Sequence, residues 1–227
     1  MRRILLFSLL GLSLAIAGLY RFRRETTQRA REAWVEAAAR EVPDSPRPSA
    51  DTSFPSSLTA AALALTKQAV VYDPAYRKIL YPGGDVPADR GVCSDVVIRA
   101  YRRLGIDLQK EVHEDMAASF SAYPRLWGLK RPDPNIDHRR VPNLMTFFGR
   151  RGAILPKSRQ ASDYAPGDIV AWDLGGGITH IGIAVGGEKI VHNVGQGQVS
   201  EEVLFAWPVI GHYRYPVKGA SGVHSPP

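Results

Sequence analysis

The sequence predicts an α+β domain, with helices gathered in its first half and an antiparallel sheet in its second. Between Ser57 and Gly152 apolar residues recur every three or four positions in four separate runs. After Pro166 the pattern changes to short strand-like segments, DIVAW, THIGIAV and KIVHN. Glycine turns at 175–177 and 186–187 separate them, a spacing that suits hairpins rather than crossover helices.

The chain opens with MRRILLFSLLGLSLAIAGLYRFRR, in which an uncharged run from Ile4 to Tyr20 lies between arginines. A spanning helix needs about 20 apolar residues with a lower limit near 17, and a signal core about 7–15. The run suits either. Ala15-Ile16-Ala17 offers a cleavage site, whereas Arg21, Arg23 and Arg24 favour an uncleaved membrane anchor. Both readings export the rest of the chain to the periplasm or another extracytoplasmic space.

Residues 1–24 are therefore read as signal peptide or anchor. Residues 25–56 follow as a stalk of helix-forming composition and a Pro-rich linker. The folded domain is expected at 57–216, and a Gly/Ser/Pro tail at 217–227. Within the domain, the run from Leu58 to Tyr72 predicts a first helix and Cys93–Leu104 a second. In the latter Val96, Val97, Ala100, Tyr101 and Leu104 share one face, Arg99, Arg102 and Arg103 lie opposite, and Gly105 ends it. Residues 109–123 predict a third helix and 141–152 a fourth, with Pro142 in its first turn. A last strand is expected near VIGHYRY.

A formal net charge of +7 invites a nucleic-acid reading, but +5 of it belongs to residues 1–40. The domain itself carries no basic recognition face, so no nucleic-acid partner is expected. One cysteine excludes an internal disulfide and a cysteine-rich zinc site. No phosphate loop, dinucleotide fingerprint or His-Glu-x-x-His motif is present, so neither cofactor nor metal is predicted.

That cysteine, Cys93, stands where a helix begins, and the positive end of a helix dipole lowers a thiol pKa. A depressed pKa is the expectation. Of the six histidines, His113 and His138 fall in charged or basic segments and read as solvated surface, and His224 lies in the tail. His180 and His192 differ, because both sit in apolar strands that a turn at Gly186-Gly187 folds together. A helix-start cysteine with two strand histidines fits a Cys–His–polar triad. His180, Gly182 and Ala184 share one face of their strand, and the small residues are expected to leave room for a substrate.

Pro166-Gly167-Asp168 followed by THIGIAV, a glycine turn and IVHN resembles the pattern of NlpC-type cysteine peptidases. Those are papain-like enzymes that cleave stem peptides of the bacterial cell wall. The fuller run, GVCSDVVIRAYRRLGIDLQKEVHEDM through PNIDHRRVPNLMTFF to HNVGQG, more closely resembles the bacterial family of domain of unknown function twelve eighty-seven. The resemblance covers about residues 60 to 216. It implies a nucleophile helix packed on an antiparallel sheet, with Cys93 as nucleophile, His180 as base and His192 as the residue that orients the base. It departs at Asp95, where NlpC-type sequences carry a glycine two positions after the cysteine, and in the long stretch from Gln109 to Pro156.

Asp95 in the first helical turn is favourable for the dipole, and could instead bind a cationic amine of a stem peptide. Asn193 reads as a back-up orienting or substrate-binding residue, and Asp168 as part of a strand turn. The implied partner is peptidoglycan or its muropeptides, with the membrane met only through the N-terminal segment. Oligomeric state is not encoded legibly. A thiol acyltransferase or lipid-directed enzyme of the same fold, and a non-catalytic wall-binding module, are the competing readings. An apolar acyl groove would favour the acyltransferase, and a polar groove with acidic residues the hydrolase.

Overall fold

The computed structural model describes residues 53–216. The signal or anchor expected at 1–24, most of the stalk and linker, and the tail lie outside the described residues. Among the described residues no helix is long and apolar enough to cross a membrane.

The first helix, α1 (Phe54–Leu65), begins one turn before the expected domain boundary at Ser57. Ser53 caps it by accepting from the Ser56 N–H, and Pro55 sits in the first turn, where a missing N–H costs no hydrogen bond. Leu58, Ala62 and Leu65 turn inward. The helix stops well short of Tyr72, because Val70 and Val71 favour extended backbone. Val71–Tyr72 instead forms β1, which pairs in parallel with β2 (Arg90–Gly91).

Helix α2 (Cys93–Arg102) has the expected apolar face, with Val96, Val97, Ala100 and Tyr101 fully buried. Its other face departs from expectation at Arg99. That side chain is also buried, held by Asp85 at 3.0 Å and by the carbonyls of Val86, Pro87 and Arg90. The loop before the helix wraps the face that periodicity alone assigns to solvent. Helices α3 (Leu108–Ala118) and α4 (Val141–Arg150) follow, joined through short 3-10 turns that include Asp137–Arg139.

The sheet is fully antiparallel, in the order β6-β5-β4-β3-β7. Its strands are β3 (Ile169–Asp173), β4 (Thr179–Gly186), β5 (Lys189–His192), β6 (Val199–Glu202) and β7 (Val209–Tyr213). Strand β6 is not legible in the sequence, since an edge strand reading Val-Ser-Glu-Glu has too few apolar residues to register. Ile169, Ala171, Ile181, Ile183 and Val191 pack toward the helices. Val170, Trp172, Ala184 and Ile190 form a second cluster with Tyr164 and Leu204. Both faces of the sheet are therefore covered.

The placement of His138 corrects the surface reading. It lies in the 3-10 turn, 2% exposed, with Nδ1 buried and without a hydrogen-bond partner among the described residues. Burial, then the charges of Arg139 and Arg102, pull its pKa from 6.5 down to about 3. His113 is half-buried and bonds Asp137 through Nδ1 at 3.0 Å.

An unfolded chain protonates His138 near 6.5, whereas the folded chain refuses that proton until about 3. Between those values the unfolded state holds more protons, so stability falls as pH falls. One such group contributes about 1.4 kcal/mol per pH unit inside that window. Melting temperature should drop on acidification from pH 7 to 4, and His138→Leu should make the drop shallower. An identical slope in the variant would show that His138 does not carry this linkage.

Candidate active site

The start of α2 is built from the residues on either side of Cys93. Val92 is extended, and its N–H donates to Asp95 Oδ2 at 2.7 Å. Arg139 grips the same carboxylate with Nε and Nη2, both at 2.9 Å, and each side chain of the pair is 2% exposed. Arg139 also donates to the carbonyls of Asp73 and Ala75, and its own carbonyl accepts from the Ser94 hydroxyl at 2.8 Å. Gly91 permits this closeness, because a Cβ there would lie 3.2 Å from Asp95 and from Arg99. Both Asp95 oxygens are thus engaged inside the protein. The carboxylate serves the helix start, the first of its two sequence readings, and an ion pair that the sequence did not reveal.

Cys93 is buried and unpaired. Its pKa is raised, not depressed. Burial pushes the thiol up to about 11 and the charge of Asp95 adds to the rise, against the N–H groups of Ile181, Ser94 and Cys93 itself. The helix N-terminus does oppose the shift, as the sequence argument requires, but desolvation of an anion is the larger effect here.

His180 on β4 and His192 on β5 do come together. His180 Nε2 and His192 Nδ1 are 2.9 Å apart, and His192 Nε2 lies 3.1 Å from Glu201 Oε2 on β6. Burial, then proximity to His192, lowers the His180 pKa to about 3. Burial lowers His192 too, although Glu201 works the other way. The rings of Trp172 and Trp207 stand 5.6 and 5.8 Å from the His180 ring.

Gly182 explains how the histidines meet, and corrects the expectation of a substrate space beside them. A Cβ at Gly182 would stand 2.6 Å from Ile190 Cγ2, 2.9 Å from the Val191 carbonyl oxygen and 3.1 Å from His192 Cβ. The space left by the missing side chain is filled by β5, which brings His192 within reach of His180.

The thiol meets the strand at the Ile181 N–H, the peptide that joins Ile181 to His180. Among the described residues no hydrogen bond links Cys93 to the His180 ring. Asn193 lies fully buried at the end of β5, donating to the Gly91 carbonyl at 3.3 Å and accepting from the Gly195 N–H. It ties the sheet to the loop that delivers Cys93. Asp168 accepts from the Ala165 N–H at the expected turn, and further holds His212 at 2.8 Å and Arg214 at 2.6 Å.

Sequence reasoning missed two residues. Tyr72, which pairs with Gly91 across β1 and β2, has its pKa raised by burial and then by the charges of Cys93 and Asp95. The apolar run ending at Tyr72 carried a strand signal that a helical reading hid. Glu201 is the other, and its contact with His192 depends on strand pairing that no local pattern reveals. Among the described residues no group of three or more His, Cys, Asp or Glu could hold a metal ion.

A family model described as "Domain of unknown function (DUF1287)" matches residues 59–215. An uncharacterized protein, YijF of Escherichia coli (strain K12), is 58% identical over 153 residues, covering 65% of this chain and 75% of that protein. Among solved structures, NlpC1 from Trichomonas vaginalis is similar at 20% identity and a TM-score of 0.38, over 70% of this chain and 44% of that one. NlpC2 from the same organism gives 18% and 0.37, over 70% and 47%. The chain thus spans less than half the length of either.

The raised thiol pKa has a direct consequence for reactivity, since the thiolate is the nucleophile. Iodoacetamide should modify Cys93 far more slowly than a free thiol at pH 7–8, with a rate that climbs above pH 9. An inflection below that of a free thiol would show that the resting thiol is not desolvated.

Proposed function

The chain belongs to the family described as Domain of unknown function (DUF1287), and we propose that it is a cysteine hydrolase that cleaves an amide bond in peptidoglycan stem peptides. One observation carries this reading. The sole thiol stands at a helix start against the strand peptide next to His180, and His180 is hydrogen-bonded to a second histidine.

The chemistry follows from those groups. Substrate brings its carbonyl carbon to the Cys93 sulfur, and the thiol proton passes to His180 as the sulfur–carbon bond forms. The developing oxyanion is met by N–H groups of the helix start, which lack intrahelical partners. His180 returns the proton to the leaving amine as the amide bond breaks, leaving a thioester. Water then attacks, giving its proton to His180, and the thiol is restored as the acid product leaves. Because burial holds thiol and imidazole neutral at rest, proton transfer accompanies attack instead of preceding it.

A cleft of about 490 Å³ borders Trp207 and is lined by Lys157, Arg159 and Phe205 as well. With two cations beside aromatic rings it is neither the apolar groove expected of an acyltransferase nor the acidic one expected of the hydrolase, so its lining favours neither. The basic, apolar N-terminal segment supports exposure of the domain outside the cytoplasm. Protease added to spheroplasts should digest the domain, and full protection would refute that placement.

The reading is tested by incubating the full-length chain with purified muropeptides and weighing the products. Cys93→Ser should fold and be inactive. General acid–base assistance is worth about 10²–10⁴ in rate, and His180→Ala should lose at least that. His192→Ala should keep residual activity that His192→Asn or His192→Gln partly restores. Unaltered stem peptides with the wild-type chain, or full turnover by Cys93→Ser, would overturn the proposal.

A further inference from the structure

We propose that Glu201 is a positioning residue: through His192 it fixes the proton positions of both imidazoles and leaves His180 Nδ1 bare to act as the base. The catalytic part of this inference rests on the hydrolase reading, whereas the proton positions do not.

An ionised carboxylate only accepts hydrogen bonds, so the 3.1 Å contact requires a proton on His192 Nε2. A neutral imidazole carries one N–H, so His192 Nδ1 holds a lone pair. The 2.9 Å contact between the rings must then be donated by His180 Nε2. A neutral His180 has no proton left for Nδ1. Among the described residues no other hydrogen bond reaches either ring, so these two contacts fix the tautomers. The Trp172 and Trp207 rings flank His180 and offer no acceptor of their own.

Glu201 is itself held, since Gln196 donates to the same Oε2 at 2.9 Å. Its side chain is 42% exposed on the edge strand, whereas His192 beneath it is fully buried. The arrangement is a line of contacts running from the surface inward. It ends at the ring next to the Ile181 peptide on which the thiol sits. Without the acceptor at its outer end, His192 is free to carry its proton on Nδ1 and donate to His180. That reversal would force the His180 proton onto Nδ1 and disable it as a base.

Side-chain nitrogen resonances distinguish a bare ring nitrogen from a protonated one, so the full-length chain labelled with ¹⁵N-histidine gives the test. In the wild type both rings should carry the proton on Nε2 and be bare at Nδ1. Glu201→Ala should shift protons onto Nδ1 in both rings. Partners that orient a functional imidazole contribute about 10–100-fold, and the variant should lose about that much turnover. Glu201→Gln presents an amide oxygen to the same N–H, and should restore the wild-type proton pattern and most of the rate. An unchanged nitrogen pattern in Glu201→Ala overturns the proposal, whatever the rate. The expected pattern in a wild-type chain that hydrolyses no muropeptide would refute the hydrolase reading and leave the role of Glu201 intact.

Discussion

Two opposite charges, Asp95 and Arg139, lie side by side out of water at the first turn of the cysteine helix. Removing such groups from water costs several kcal/mol per ion, and only good geometry with further hydrogen bonds offsets it. Here the guanidinium takes both carboxylate oxygens, the Val92 N–H adds a third bond, and the Asp73 and Ala75 carbonyls absorb the remaining donors. Loss of one partner from a buried pair of this kind costs about 3–5 kcal/mol, because the other charge is left stranded. The pair thereby joins three distant pieces of chain at the point where Cys93 is presented. It also gives the long stretch between α2 and the sheet a purpose, since that stretch supplies Arg139.

The sheet works in the same way from the opposite direction. Its helix-facing residues, Ile181 and Ile183, hold β4 under α2 and bring a backbone N–H to the thiol. Its other face carries His180 into a pocket of aromatic rings, and Gly182 lets β5 close enough for His192 to meet it. Covering both faces has an electrostatic consequence. Water is excluded from the thiol and from both imidazoles, so each is driven toward its neutral form. On the proposed reading, burial that would be a liability for a free ion pair keeps the thiol protonated until a substrate carbonyl is at hand.

Much was legible in the sequence because it was local. The period of Val96, Val97, Ala100 and Tyr101 specified a helix with one apolar face, and the position of Cys93 at its start followed. Alternation in THIGIAV and the glycine turn after it specified a hairpin carrying His180 and His192. The failures were local readings as well. Val71 and Tyr72 were joined to the helix before them, because a two-residue strand has no period to detect. Strand β6 was too polar to register. Helical period assigns Arg99 to the surface and a basic setting assigns His138 there, although neighbouring segments bury both.

What the sequence by itself determined is therefore the order of the main elements, the apolar faces that pack them, and the helix-start and paired-strand positions of the thiol and two histidines. Those depend on side-chain periodicity and turn residues, which act over a few positions. Only the tertiary structure decided the charge state of the thiol, the pairing of Asp95 with Arg139, and the contact of His192 with Glu201. Each of these depends on how much water is left around a group and which distant residue fills its place. Dielectric surroundings and partners across strands are properties of packed atoms, and no run of neighbouring residues encodes them.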